Sequence, residues 1–214
     1  MKLLFLFVTV VGSFASACAQ PYTLVFLHKK AKPQELPKEK VDELMRGHMA
    51  NMDRLAKEGK LKAAGPFDGG GGIFIFNSGS TEDVRAWVAT DPGVQANRWD
   101  IEIVPYQPQL GNVCEAPEPY EMVTYSFIRF RSQVSKANVQ QAEAWMNAHR
   151  QYAKALLQDQ LITHVYLGDE NDSLILAAGD WGSNQWTGDE AVNQGLLVPV
   201  FKKLWIAKGS FCEK

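Results

Sequence analysis

The chain holds four histidines, three cysteines and no serine in a G-x-S-x-G setting, and these bound the chemistry it can do. His28, His48, His149 and His164 do not share a spacing that would close on a metal ion. Cys114 and Cys212 have no neighbouring His or Cys, so a zinc knuckle is excluded. Gly69–Gly72 opens no helix, so it fits a hairpin loop and not a phosphate cradle. His48 is more informative. It shares an apolar stripe with Val41, Leu44, Met45, Met52 and Leu55. Two readings stand: a core histidine satisfied by its surroundings, or a proton-transfer group facing a pocket. Trp181 and Trp186 sit in a loop-like stretch, where they either cover a pocket mouth or pack on the surface. Trp145, Met146 and Tyr152 recur at helical spacing and fit a core.

The elements that must position these residues come in two copies. His48 and His149 are 101 residues apart, and the same offset pairs Thr23 with Thr124, Phe26 with Phe127, Leu61 with Ile162 and Ile73 with Leu174. Each copy follows a β-α-β-β-α-β order. In the first, 22–27 is β-branched and aromatic and predicts a strand. The stripe predicts a helix over 38–58, with Gly59 just past its end. Strands follow at 61–64 and 72–76. Ser80 caps a second helix, with Asp83 three residues later as a variant capping box. Asp91-Pro92-Gly93 ends that helix, and Ile101 and Ile103 alternate with charges in a last strand. The second copy repeats this at 123–131, 138–158, 161–167, 173–178 and 204–208, with its second helix obscure. The segment 108–120, rich in Pro, Gln and Glu, predicts a linker between modules 20–107 and 121–214.

This order is the ferredoxin-like split βαβ pattern, which leaves one sheet face bare. Two copies can bury both bare faces against each other. The expected fold is α+β: tandem ferredoxin-like βαββαβ modules forming an intramolecular pseudo-twofold dimeric α/β barrel. The expected unit is a monomer paired within itself, with a higher oligomer left open.

The N-terminus predicts export. Met1-Lys2 precedes an apolar run over 3–11 and small residues over 12–19, the pattern of a signal peptide occupying 1–19. Cleavage after Ala19 leaves Gln20 first; the lipobox-like Ala15-Ser16-Ala17-Cys18 would instead make Cys18 a lipidated N-terminus. In an exported chain Cys114 and Cys212 are candidates for a disulfide. The run over 3–11 is too short to span a bilayer, and no later segment is apolar enough. A net charge of −2 without a basic block argues against nucleic acid as a partner.

The first copy resembles the YCII-related family of the dimeric α/β-barrel superfamily. The resemblance rests on His48-Met-Ala-Asn-Met-Asp-Arg-Leu55, Glu58-Gly59-Lys60-Leu61, Ala64-Gly65-Pro66-Phe67, Gly72-Ile73-Phe74-Ile75-Phe76 and Trp87-Val88-Ala89-Thr90-Asp91-Pro92, and covers about 21–107. It implies a His/Asp catalytic pair at His48 and Asp91, with Gly65, Pro66 and Phe67 lining a substrate pocket. The implied chemistry is cofactor-free. A carboxylate that holds one imidazole nitrogen raises the basicity of the other, which can take a proton next to a carbonyl or assist an elimination. The implied partner is a small-molecule ligand; a non-catalytic binding or structural module is the alternative. The second copy keeps His149 but has Tyr166-Leu167-Gly168 where Gly65-Pro66-Phe67 is expected, and no Asp-Pro follows its second helix. It is expected to have lost the site and to complete the barrel.

Overall fold

The computed structural model describes residues 22–32, 34–133, 139–168 and 172–213. The leader over 1–19, both fates of Cys18, the start at Gln20 and the helix start at Asn138 lie outside the described residues. The first module is β1 (Tyr22–Lys29), α1 (Lys38–Lys57), β2 (Leu61–Pro66), β3 (Gly72–Phe76), α2 (Thr81–Val88), the one-turn α3 (Pro92–Gln95) and β4 (Trp99–Leu110). The second is β5 (Met122–Ser132), α4 (Val139–Leu157), β6 (Leu161–Leu167), β7 (Asp172–Ala177), the one-turn α5 (Glu190–Asn193) and β8 (Leu197–Ala207). The α1 stripe buries Leu44, His48, Asn51 and Leu55. Ser80 caps α2 by accepting from the Asp83 amide.

The strands form one antiparallel sheet in the order β2-β3-β1-β4-β6-β7-β5-β8. Each half has ferredoxin-like order. The sheet closes on itself where Phe67 bridges Leu204 and the Asp68 amide donates to Lys203 O at 3.1 Å. Both bare faces meet inside this barrel: Leu24, Phe26, Phe67 and Ile75 pack with Phe127, Val165, Leu176 and Leu204 in one core. The outward faces carry two further cores. One lies under α1 and α2, around Val25, Leu55, Phe74, Phe76 and Val84; the other lies under α4, around Ile128, Phe130, Leu157, Ile175 and Trp186. Across the seam Arg129 on β5 binds both oxygens of Glu102 on β4 and also Asp172, with its guanidinium 4.6 Å from the Phe26 ring.

Two expectations are corrected here. The linker begins later than expected, because β4 runs to Leu110. It pairs with β1 over Trp99–Tyr106 and then with β6 from Tyr106 to Leu110, so its second half serves the other module. The repeat is not gapless either. Thr23 stands opposite Phe76 as Ser126 stands opposite Ala177, so β1 and β5 correspond at 103. β2 and β6 share a bulge, at Leu61/Ala63 and Leu161/Thr163, and correspond at 100. The last parts correspond at 98, where Asp91 and Asp189 cap α3 and α5 in the same way. Thr23 therefore matches Ser126, not Thr124. A two-residue slip leaves every strand side chain on its original face, which is why a fixed offset fits the hydrophobic pattern of β1 and β5.

Cys114 and Cys212 form a disulfide with Cα atoms 5.2 Å apart. Their separation of 98 equals that of β4 and β8, so the bridge joins equivalent positions of the two modules. Next to them Val113 and Phe211 belong to the barrel core. Among the described residues no helix is long and apolar enough to cross a membrane.

Candidate functional site

His48 lies midway along α1, between the helix and the outer face of the first module's sheet. Its ring packs on Phe74 and Trp99, with centroids 5.7 and 4.9 Å away. Asp91 reaches it from the cap of α3. Asp91 Oδ1 accepts from the amides of Gly93 at 2.8 Å and Val94 at 3.2 Å, and Oδ2 meets His48 Nδ1 at 2.8 Å. Asn51, one turn along α1, donates to Oδ2 at 3.4 Å. Two glycines permit this approach. A Cβ at Gly47 would stand 2.9 Å from Pro92 Cγ, and one at Gly93 would collide with the Trp99 ring. Any side chain at either place would push α3, and Asp91 with it, away from His48.

The electrostatics hold Asp91 as an anion. Burial alone would raise its carboxyl pKa. The hydrogen bond and charge of His48, with the Val94 and Gly93 amides, outweigh burial and keep it below the usual carboxylate range. The arrangement therefore leaves Nδ1 committed to the carboxylate. His48 Nε2 has no hydrogen-bond partner among the described residues, and the side chain keeps 8% of its surface exposed.

The second module repeats the pair, which corrects the expectation that it was lost. His149 Nδ1 meets Asp189 Oδ2 at 2.5 Å, and Asp189 Oδ1 accepts from the Ala191 and Val192 amides. Spacing hides Asp189, because a fixed offset of 101 leads from Asp91 to Val192. The usable signal was the pattern: Asp189-Glu190-Ala191-Val192 matches Asp91-Pro92-Gly93-Val94.

The two pairs differ at Nε2. His149 is fully buried, and its Nε2 shares a hydrogen bond with Ser173 Oγ at 3.1 Å; His164 Nε2 shares another with the same oxygen at 2.8 Å. Burial, then the charges of His149 and Arg150, push the His164 pKa down to about 3, so its ring is neutral. Register shows what the first module has instead. Gly72 pairs with Pro66 as Ser173 pairs with Tyr166, and Ala64 pairs with Phe74 as His164 pairs with Ile175. The first module thus has Gly72 and Ala64, without polar side chains, where the second has Ser173 and His164.

The remaining sequence candidates lie elsewhere. Register aligns Gly65-Pro66-Phe67 with Val165-Tyr166-Leu167, one residue earlier than expected. Phe67 is in the barrel core, edge-on to Phe127, on the other side of the sheet from His48. Gly65 is needed at the seam, because a Cβ there would collide with Trp205 O on β8. Pro66 is exposed at the end of β2. Trp186 is fully buried against Phe130 and does not cover a mouth, while Trp181 is half-buried with its indole N–H on Ala178 O. Trp145, Met146 and Tyr152 pack on the second outer core. Among the described residues no three His, Cys, Asp or Glu side chains could hold a metal ion.

Fold and site together define a dimeric α/β barrel built within one chain, with an Asp-held histidine in each half. Residues 23–107, within the first module, match the family model of the YCII-related domain. No curated protein sequence matches the chain. Two solved structures are similar in fold. One, described as "putative monooxygenase" from Lactobacillus acidophilus NCFM, is 15% identical and aligns over 87% of this chain and 94% of its own, with a TM-score of 0.47. The other, also described as "putative monooxygenase", from Fusobacterium nucleatum subsp. nucleatum, is 8% identical over 89% of this chain and 94% of its own, with a TM-score of 0.49.

Proposed function

We propose that the first module is the working half of an exported, cofactor-free lyase or isomerase, in which His48 moves a proton on a small carbonyl-containing compound. The observation that carries this is the contrast at Nε2. Both modules hold their histidine by an aspartate, but only His149 has its second nitrogen occupied by the protein's own Ser173. Asp91 keeps the Nδ1 proton in place and stabilises the imidazolium that forms when Nε2 takes a proton. That proton comes from carbon next to a carbonyl, and its electron pair becomes an enolate. Returning the proton at another carbon gives an isomer; expelling a leaving group from the β-carbon gives an elimination product. Trp99 and Phe74 pack against the ring and fix its plane. The Cys114–Cys212 disulfide supports export, because such bridges persist in oxidising compartments.

A specific observation favours a second reading, a non-catalytic module. His149–Asp189 is sealed, so an Asp–His pair here can act purely as a brace between a long helix and a one-turn helix. Proton exchange separates the two. The protein is incubated in D2O with a panel of small keto acids, lactones and β-substituted carbonyl compounds, and loss of α-proton signal is followed by NMR. The base reading predicts catalysed exchange for at least one compound, falling about 100-fold or more in His48→Ala and persisting in Ser173→Ala. No exchange by the wild type, or equal exchange in His48→Ala, supports the brace.

A further inference from the structure

The barrel end where β1 and β5 begin is closed by the chain that follows β4 and β8. Val113 and Phe211 turn into the core there, and the Cys114–Cys212 bridge staples the two crossings. Beside the C-terminal hook a cavity of about 650 Å³ opens against the second module. Leu110, Val123, Ile162, Ala178 and Phe211 give it an apolar wall, and Tyr125 and Asn112 also line it. The volume is that of a small-molecule site. The cavity lies on the barrel side of the sheet and shares no lining residue with His48 or His149.

Charge at the rim decides what it would hold. Asp159, Glu213 and Lys208 stand there. Glu213 is already committed: it accepts from Tyr125 Oη at 2.8 Å, from the Gly209 amide at 2.6 Å and from the Phe211 amide at 2.9 Å. Lys208 Nζ is turned to Glu121 at 3.3 Å. Burial, then Glu213, push the Tyr125 hydroxyl well above its ordinary pKa, so it stays a neutral donor. Asp159 is exposed and makes no ion pair or hydrogen bond among the described residues. Two carboxylates against one ammonium that is paired elsewhere leave the mouth negative.

We propose that this cavity binds a small organic cation with an apolar body, such as an arylalkylammonium. The body lies on Leu110, Val123, Ile162 and Phe211, and the ammonium meets Asp159. This site stands independently of the proton-transfer reading.

The test uses the full oxidised protein and three matched probes: 3-phenylpropylammonium, 3-phenylpropanol and 3-phenylpropanoate. Calorimetry is expected to show the ammonium binding with one-to-one stoichiometry and the carboxylate at least about fivefold more weakly. Asp159→Asn is expected to bring the ammonium to the affinity of the alcohol. Ala178→Leu, which adds bulk to the cavity lining, is expected to remove binding of all three. A nuclear Overhauser contact between the probe ring and the Ile162 methyls locates the site without any substitution. Absence of ammonium binding, equal binding of carboxylate and ammonium, or binding without the Ile162 contact overturns the proposal.

Discussion

Asp91 and Asp189 each do two jobs with two oxygens: one caps a one-turn helix, the other holds an imidazole. The first job needs only a local sequence pattern, and Asp91-Pro92 showed it. The second is a contact made 43 residues away in sequence, which spacing alone does not reveal. His48 could be placed on the buried stripe of a helix from periodicity, but its partner came only through family resemblance. His164 and Ser173 gave no sequence signal, because their meeting depends on the register of β6 on β7. They carry a pH prediction. His164 has its pKa pushed from 6.5 to about 3 by burial, so between these values the unfolded chain takes up a proton that the folded chain refuses. Its contribution is therefore full above about pH 6.5 and is lost as pH falls toward about 3. Glu102 acts lower. Burial would raise its pKa, but His28 and Arg129 pull it from 4.5 to about 2, so its contribution is full above about pH 4.5 and is lost as pH falls toward 2. Urea denaturation midpoints are expected to fall steadily from pH 7 to pH 4, and His164→Gln is expected to flatten the slope between pH 6.5 and 4.5. An unchanged slope in that variant would remove His164 from the account.

The elements were legible where hydrophobic period and a cap agreed. Ser80 with Asp83 marked α2, and the α1 stripe marked the helix that carries His48. The matching stretch of the second module lacks both signals. A short turn at Ser183–Trp186 stands there, and Trp186 fills the space against Phe130. The seam between β2 and β8 was not legible, because nothing local marks a strand edge that closes a barrel. Gly65 is the residue that seam depends on, since the β8 backbone lies where a Cβ would be. Gly65→Ala is expected to lower stability by about 1–3 kcal/mol through overpacking, seen as a lower melting temperature. A melting temperature equal to the wild type would show that β8 shifts freely and that the seam is loose.

At the scale of the molecule, the two modules pack as the subunits of a dimer would within one chain, and the disulfide joins equivalent positions of the two. It closes a separation of 98 residues. Reduction is expected to cost about 2–5 kcal/mol and to free the chain that closes the barrel end, measured as a drop in melting temperature with reductant that Cys114→Ser reproduces. Equal melting temperatures with and without reductant would contradict this. The symmetry breaks at the two histidines: among the described residues nothing bonds His48 Nε2, whereas Ser173 Oγ shares a hydrogen bond with His149 Nε2. Diethyl pyrocarbonate acylates accessible neutral imidazole nitrogens, and peptide mass mapping of the folded protein assigns each adduct. Acylation of His48 is expected to be faster by tenfold or more (~1.4 kcal/mol) than that of His149, whose rate follows global unfolding. Equal rates at the two positions, or a His48 that reacts only on unfolding, would contradict it.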